Sequence, residues 1–306
     1  MMMNMIKKTL VLVTLYLLVA TNVLAQIQTI YSFDKAKEDL NNTNTETMVI
    51  FDIDETLITY TDTTQLFFYT KYSSCFYKQK KTFENKFNKN KDLIWSKRLK
   101  ADNGALVEPS IVETIKRLQA QGATVIALTA SPGGKCGNIN RVCDLRSEQL
   151  QDLGIEFSPI SSTTDEFLFE SIERPKYTLQ PEYTDQYAPP MYHKGILYAG
   201  HDHLKANILA AFLTCFLKKI SKIIYFDDKL IEVEEIGSLL KKFNDDLPTS
   251  LNLIDYKGYC YQGIKTYPRP IFDAKIAEIQ LMYFLEKTEF LPIADAKKML
   301  TSLVEE

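Results

Sequence analysis

Six side chains with carboxylate, hydroxyl or amine chemistry stand at comparable places along this chain: Asp52, Asp54, Thr129, Lys205, Asp227 and Asp228. Asp52-Ile53-Asp54-Glu55-Thr56 follows the apolar run Met48-Val49-Ile50-Phe51, and Asp227-Asp228 follows Ile223-Ile224-Tyr225-Phe226. Thr129 closes the run Val125–Leu128, and Lys205 opens a strongly apolar helical stretch. Two carboxylates two residues apart at the end of a buried strand are costly to place together, and a bound cation relieves the repulsion. Magnesium takes such hard oxygen ligands, with water and substrate phosphate completing its shell. A carboxylate can also act as a nucleophile and become an aspartyl-phosphate. A second carboxyl can protonate the leaving oxygen and later take a proton from water. A hydroxyl and an ammonium neutralise the charge spread over phosphoryl oxygens. The set fits magnesium plus a phosphoryl group.

Such residues need a frame that gathers strand ends. Met48–Phe51, Thr124–Leu128, Ile155–Phe157, Ile196–Ala199, Lys222–Phe226 and Leu251–Ile254 read as short strands apolar on both faces. Helical patterns alternate with them. One runs from Ser110 to about Gln121 with Gly122 as its stop, and another from Arg141 to Leu153 ended by Gly154. Others cover Lys205–Lys218, Leu230–Phe243 and most of 271–304. This alternation predicts an α/β fold, a Rossmann-like parallel sheet covered on both faces. Ligands of such sheets bind outside the carboxyl ends of the strands, where the strand-end residues of the set fall.

The ordered set resembles the motifs of the haloacid-dehalogenase (HAD) superfamily of phosphohydrolases. An apolar strand precedes Asp52-Ile53-Asp54-Glu55-Thr56, a second strand ends in Thr129, Lys205 opens a helix, and a strand ends in Asp227-Asp228. The resemblance spans residues 46–260 and extends to exported bacterial HAD-like proteins of unassigned substrate. It implies a HAD core over 46–57 and 106–270 with an insertion at 158–195, a helical cap insertion over 58–105, and C-terminal helices over 271–306. It implies Asp52 as nucleophile and magnesium ligand. Asp54 would be the general acid/base, its carbonyl also on the metal. Thr129 and Lys205 would hold the phosphoryl, Asp227 would bind magnesium, and Asp228 would do so directly or through water. The Asp at position 54 favours phosphatase over dehalogenase chemistry. The implied activity is a magnesium-dependent phosphate monoester hydrolase acting on a phosphorylated small molecule or a phosphoprotein. The alternative is a non-catalytic, exported HAD-like binding protein whose long aromatic insertions recognise a partner.

Taken singly, each motif has a plainer explanation. Threonine at a strand end is common, an Asp pair suits a helix N-terminus, and Lys205 has a rival in Lys194. His201-Asp202-His203 has the residue types of a transition-metal site but lacks an evident third strong ligand, and reads as a polar loop. Gly133-Gly134-Lys135 lacks P-loop spacing and reads as a turn, and no Gly-x-Ser-x-Gly surrounds Ser131. The lysines at 78–81 and 86–91 read as a solvated helix face. Joint occurrence in this order is what sets the residues apart from these plainer explanations.

Composition sets the outer limits. The 306 residues are 45% hydrophobic and 25% charged, which excludes a disordered chain or a fibre. A net charge of −3 gives no sign of a nucleic-acid partner. Five cysteines are too few for a disulfide scaffold. Cys136 and Cys143 flank a short loop at a spacing that permits a bridge, and Cys215 reads as a small core residue. At the N-terminus, Lys7 and Lys8 precede an apolar stretch from Thr9 to Val23 that ends at Leu24-Ala25. This reads as a secretory signal peptide cleaved after Ala25, because the run is shorter than the ~20 residues that span a bilayer. The expected mature chain, at −5 without the two lysines, is periplasmic or secreted and meets a membrane only before cleavage. Residues 26–45 are expected to be an extended or loosely helical leader.

Overall fold

The computed structural model describes residues 26–61, 91–101, 104–157, 165–170, 172, 189–200, 203–215, 220–246, 254–267, 273–287 and 289–305. The expected signal peptide, most of both expected insertions, and His201 and Asp202 lie outside the described residues.

The strands are β1 (Gln26–Ile30), β2 (Thr47–Phe51), β3 (Ile58–Thr59), β4 (Ala105–Leu106), β5 (Thr124–Thr129), β6 (Glu166–Leu168), β7 (Met191–His193), β8 (Ile196–Tyr198), β9 (Lys222–Asp227) and β10 (Asp255–Tyr261). The α-helices are α1 (Lys37–Asn41), α2 (Lys91–Ala101), α3 (Ile111–Ala120), α4 (Val142–Asp152), α5 (Lys205–Cys215), α6 (Leu230–Asp246), α7 (Ala274–Lys287) and α8 (Ile293–Glu305). Together they make a mixed α/β fold around an eight-stranded sheet in the order β1-β10-β9-β2-β5-β8-β7-β6. Neighbours from β1 to β8 in that order pair parallel, whereas β7 and β6 extend the sheet antiparallel. The short strands β3 and β4 pair antiparallel apart from it.

The central strands β2, β5 and β9 are apolar between their end residues because both faces are covered. Val49, Phe51, Val125, Ala127, Ile224 and Phe226 point to one face, where Ile111, Ile115 and Leu118 of α3 cover them. Met48, Ile50, Ile126, Leu128, Ile223 and Tyr225 point to the other, against α5 and α6. The helices α7 and α8 pack on each other through Ile276 and Ala296, with Leu291 from just before α8.

The segment expected as a leader is built into this frame. β1 pairs with β10 from Gln26↔Lys257 to Ile30↔Tyr261. Phe33, Ala36 and Leu40 then turn into the core, with the Phe33 ring stacked on Tyr261 at 4.2 Å between centroids. Phe51, Phe226 and Tyr259 continue the aromatic row across three adjacent strands, with stacked centroids 5.0 and 4.9 Å apart.

Three local expectations differ from the structure. Ile155–Phe157 forms no strand, because the end of α4 claims its backbone. Gly154 adopts φ +83°, its N–H donates to Gln151 O, and Ile155 N–H donates to Leu150 O, which is a Schellman cap. Of the strand expected at Leu251–Ile254, 251–253 lie outside the described residues; Ile254 is in no strand, and β10 begins at Asp255. Asp255, Lys257 and Gly258 break its apolar pattern, yet Gly258 suits the site because a Cβ there would meet Val233 Cγ1 at 2.5 Å. Cys215 is exposed at the end of α5 and is no core residue. Among the described residues, no helix is long and apolar enough to cross a membrane.

Candidate functional site

β2 and β9 are sheet neighbours with Phe51 level with Phe226, and the Asp52 N–H donates to Phe226 O at 2.8 Å. This register sets Asp52 and Asp227 side by side at the carboxyl ends of two central strands. Lys205, the first residue of α5, is 2% exposed and bridges them. Its Nζ donates to Asp52 Oδ1 at 2.6 Å and to Asp227 Oδ2 at 2.7 Å. One carboxylate oxygen from each of Asp52, Asp227 and Asp228 lies within 4.8 Å of the others. Further donors hold Asp52 and Asp227 in place. Thr56 Oγ1 donates to Asp52 Oδ2 at 3.3 Å, Lys229 N–H donates to Asp227 Oδ1 at 2.8 Å, and the Tyr225 hydroxyl donates to Asp227 Oδ2.

The electrostatics follow from crowding three acids in a buried place. Burial pushes the Asp52 carboxyl well above the usual carboxylate range; Asp227 and Asp228 add to this, and Lys205 opposes it. Burial, then Asp227, pushes Asp228 up to about 7. Burial also works against the Lys205 ammonium, but Asp227 and Asp52 outweigh it and raise its pKa. The arrangement is therefore strained in charge without a further cation, and its hard oxygen donors suit a magnesium ion.

A pH dependence follows. In the metal-free protein the folded state keeps a proton on Asp228 up to about pH 7, whereas the unfolded chain releases it near pH ~3.9. The folded state then binds more protons across that window, so stability falls as pH rises from about 4 to about 7. Thermal melts in chelator should show this decline, and Asp228→Asn should make it shallower and raise the melting temperature at pH 7. A slope unchanged by the substitution would refute the assignment. Asp52 contributes with the same sign, so some slope remains in the variant.

The other expected site residues have hydrogen-bond partners outside this group. Thr129 ends β5, next to β2, and its Oγ1 accepts the Ser131 N–H at 3.1 Å. Asp54 is held by Arg146, whose Nη2 donates to Asp54 Oδ1 at 2.5 Å. Arg146 is 1% exposed on α4, and the opposing Asp54 holds its guanidinium protonated against the cost of burial. Asp52, Lys205, Asp227 and Asp228 thus come together, while Asp54 and Thr129 have their own partners.

Lys194 sits in the β7–β8 hairpin turn, where it and Gly195 both have positive φ, and its N–H donates to Asp165 O. The rival lysine is a turn residue. Gly133 and Gly134 offer their carbonyls to the N–H groups of Cys143 and Val142, so this turn docks the start of α4. Cys136 and Cys143 are buried free thiols, pushed up by burial to about 12 and about 11.

The motif pattern missed Arg146, Tyr225 and Glu232. Arg146 had one available signal: it lies on the buried stripe of α4 with Cys143, Gln149 and Leu150, where a lone arginine needs a partner. Tyr225 looks like any aromatic core residue. Glu232 sits in the first turn of α6, and Oε2 is buried without a hydrogen bond. Burial raises its pKa against the pull of Lys205.

A family model described as "Protein of unknown function (DUF2608)" matches residues 29–291. No curated protein and no solved structure matches the chain.

Proposed function

The chain belongs to that family along most of its length, and we propose that it is a magnesium-dependent phosphatase. It would hydrolyse phosphate monoesters through an aspartyl-phosphate on Asp52. The observation behind this reading is the convergence of Asp52, Asp227 and Asp228 within 4.8 Å, with Lys205 bridging Asp52 and Asp227. Further support comes from the resemblance of the motif order to HAD-superfamily phosphohydrolases. The finer architecture that goes with it is a HAD core over 46–57 and 106–270, with 58–105 and 158–195 as insertions governing access.

Magnesium would be held by Asp52, Asp227 and Asp228 and, by the resemblance, by the Asp54 carbonyl. When bound it supplies charge stabilisation for the phosphoryl oxygens. The chain's own groups do the rest. An Asp52 oxygen attacks phosphorus, the ester P–O bond breaks, and the leaving oxygen takes the proton of Asp54. Water then attacks phosphorus and gives its proton to Asp54, and the P–O bond to Asp52 breaks to release phosphate. The Lys205 ammonium offsets the charge that accumulates on Asp52 and the phosphoryl, and the Thr129 hydroxyl donates to a phosphoryl oxygen. Arg146 fixes one oxygen of Asp54 and leaves the other for the proton. The substrate would be a phosphorylated small molecule or a phosphoprotein, met in the periplasm or outside the cell after signal-peptide removal.

The test is hydrolysis of p-nitrophenyl phosphate by the full chain after chelation and dialysis. Turnover should be absent in chelator and return on addition of Mg2+. Hydrolysis that proceeds equally in chelator refutes the metal requirement.

A further inference from the structure

A second cluster of ligating side chains lies where α4 begins and the antiparallel hairpin ends. Cys143 and Asp144 are in the first turn of α4, and His193 closes β7. One ligating atom from each lies within 4.8 Å of the others. The motif pattern drew attention to His201–His203 instead, because the rest of α4, β6 and a long connection separate His193 from Cys143.

We propose that Cys143 Sγ, Asp144 Oδ1 and His193 Nε2 form a site for a borderline-soft divalent ion of the zinc type, with Glu166 as the carboxylate behind the histidine. His193 is 5% exposed, and neither ring nitrogen makes a hydrogen bond, although each lies 3.3 Å from a carboxylate oxygen. A buried imidazole with both nitrogens short of a hydrogen bond is an expense that a bound ion removes.

The spacing fits. Zinc bonds of about 2.3 Å to sulfur and about 2.1 Å to nitrogen or oxygen give tetrahedral edges of about 3.6 Å (S to O) and about 3.4 Å (N to O). The corresponding distances here are 3.8 Å from Cys143 Sγ to Asp144 Oδ1 and 3.3 Å from His193 Nε2 to Asp144 Oδ1. A thiolate, an imidazole and one carboxylate are donors that favour zinc over magnesium.

The surroundings also match a metal-bound histidine. Such a residue usually directs its other ring nitrogen at a carboxylate, which fixes its tautomer. Glu166 pairs with His193 across β6 and β7, and its Oε2 lies 3.3 Å from Nδ1. Arg141 engages Asp144 Oδ2 at 2.7 Å and Glu166 Oε2 at 2.5 Å, which leaves Asp144 Oδ1 for the ion. With a divalent ion bound, Arg141 and the metal balance a thiolate and two carboxylates. Asp144 and Glu166 are partly exposed, so the ion has a path from solvent to the buried sulfur.

The probe is Co2+, titrated into the reduced, chelator-treated full chain. A thiolate-to-cobalt charge-transfer band should grow to one ion per chain and bleach on addition of Zn2+, while excess Mg2+ leaves it intact. Cys143→Ser should abolish the band, and Cys136→Ser should keep it. His193→Gln and Glu166→Gln should each weaken Co2+ binding about tenfold or more. No band in wild-type protein with a native circular dichroism spectrum overturns the proposal, whatever the variants do. A band that survives Cys143→Ser also overturns it. An all-aspartate cluster gives no thiolate band, so either failure leaves the phosphatase reading untouched.

Discussion

Asp52→Asn is expected to lower Mg2+-dependent hydrolysis of p-nitrophenyl phosphate by at least ~10⁴-fold with the fold intact, since it removes the proposed nucleophile. An amide oxygen cannot form the aspartyl-phosphate, and no other described group stands against Lys205 and Asp227 in the same place. The fold should survive because the charged form of Asp52 is a burden in the metal-free protein: burial and its two acidic neighbours disfavour it. Lys205 keeps Asp227 as a partner at 2.7 Å. The melting temperature at pH 7 in chelator should therefore hold or rise. A variant within about tenfold of wild-type turnover would remove Asp52 from the nucleophile's role.

Lys205→Met carries the largest expected effect on stability. It deletes an ammonium hydrogen-bonded to both Asp52 and Asp227, and leaves two buried carboxylates without it. Removing one partner of a buried ion pair costs about 3–5 kcal/mol. In chelator that corresponds to a fall in melting temperature on the order of 10 °C. Two further readouts mark the electrostatic cause. The deficit should shrink at acid pH, where the high-pKa Asp52 and Asp228 carry protons. Mg2+ should also raise the variant's melting temperature more than that of wild type, because the ion supplies the missing positive charge and binding stabilises by mass action. A melting temperature within about 2 °C of wild type, insensitive to pH and Mg2+, would show that the ammonium does not neutralise this cluster.

The sheet was legible where its strands are buried on both faces. Met48–Phe51, Val125–Leu128 and Ile223–Phe226 are unbroken apolar runs because both sides face helices. β10 was not legible as a strand because its burial is carried by Tyr256, Tyr259 and Tyr261 around two charges and a glycine. The expected strand at Ile155–Phe157 failed for a local reason, since the cap of α4 uses its first N–H.

In the candidate site, adjacent strand ends made the acids readable, and the helix start made Lys205 readable. The partnership of Asp54 with Arg146 was not readable, because ninety-two positions separate the two and only packing joins them. The same holds for His193, which the chain brings to Cys143 only through the hairpin.

The seating of β1 has a consequence for biogenesis. Its pairing partner, β10, lies more than two hundred positions downstream. A ribosome delivers Gln26–Ile30 long before Asp255–Tyr261 exists to receive it. Pairings of such long range form slowly, and Phe33 cannot reach Tyr261 until they do. The β1 end of the sheet is thus completed only once Tyr261 has emerged, so this part of the fold stays unfinished through most of synthesis.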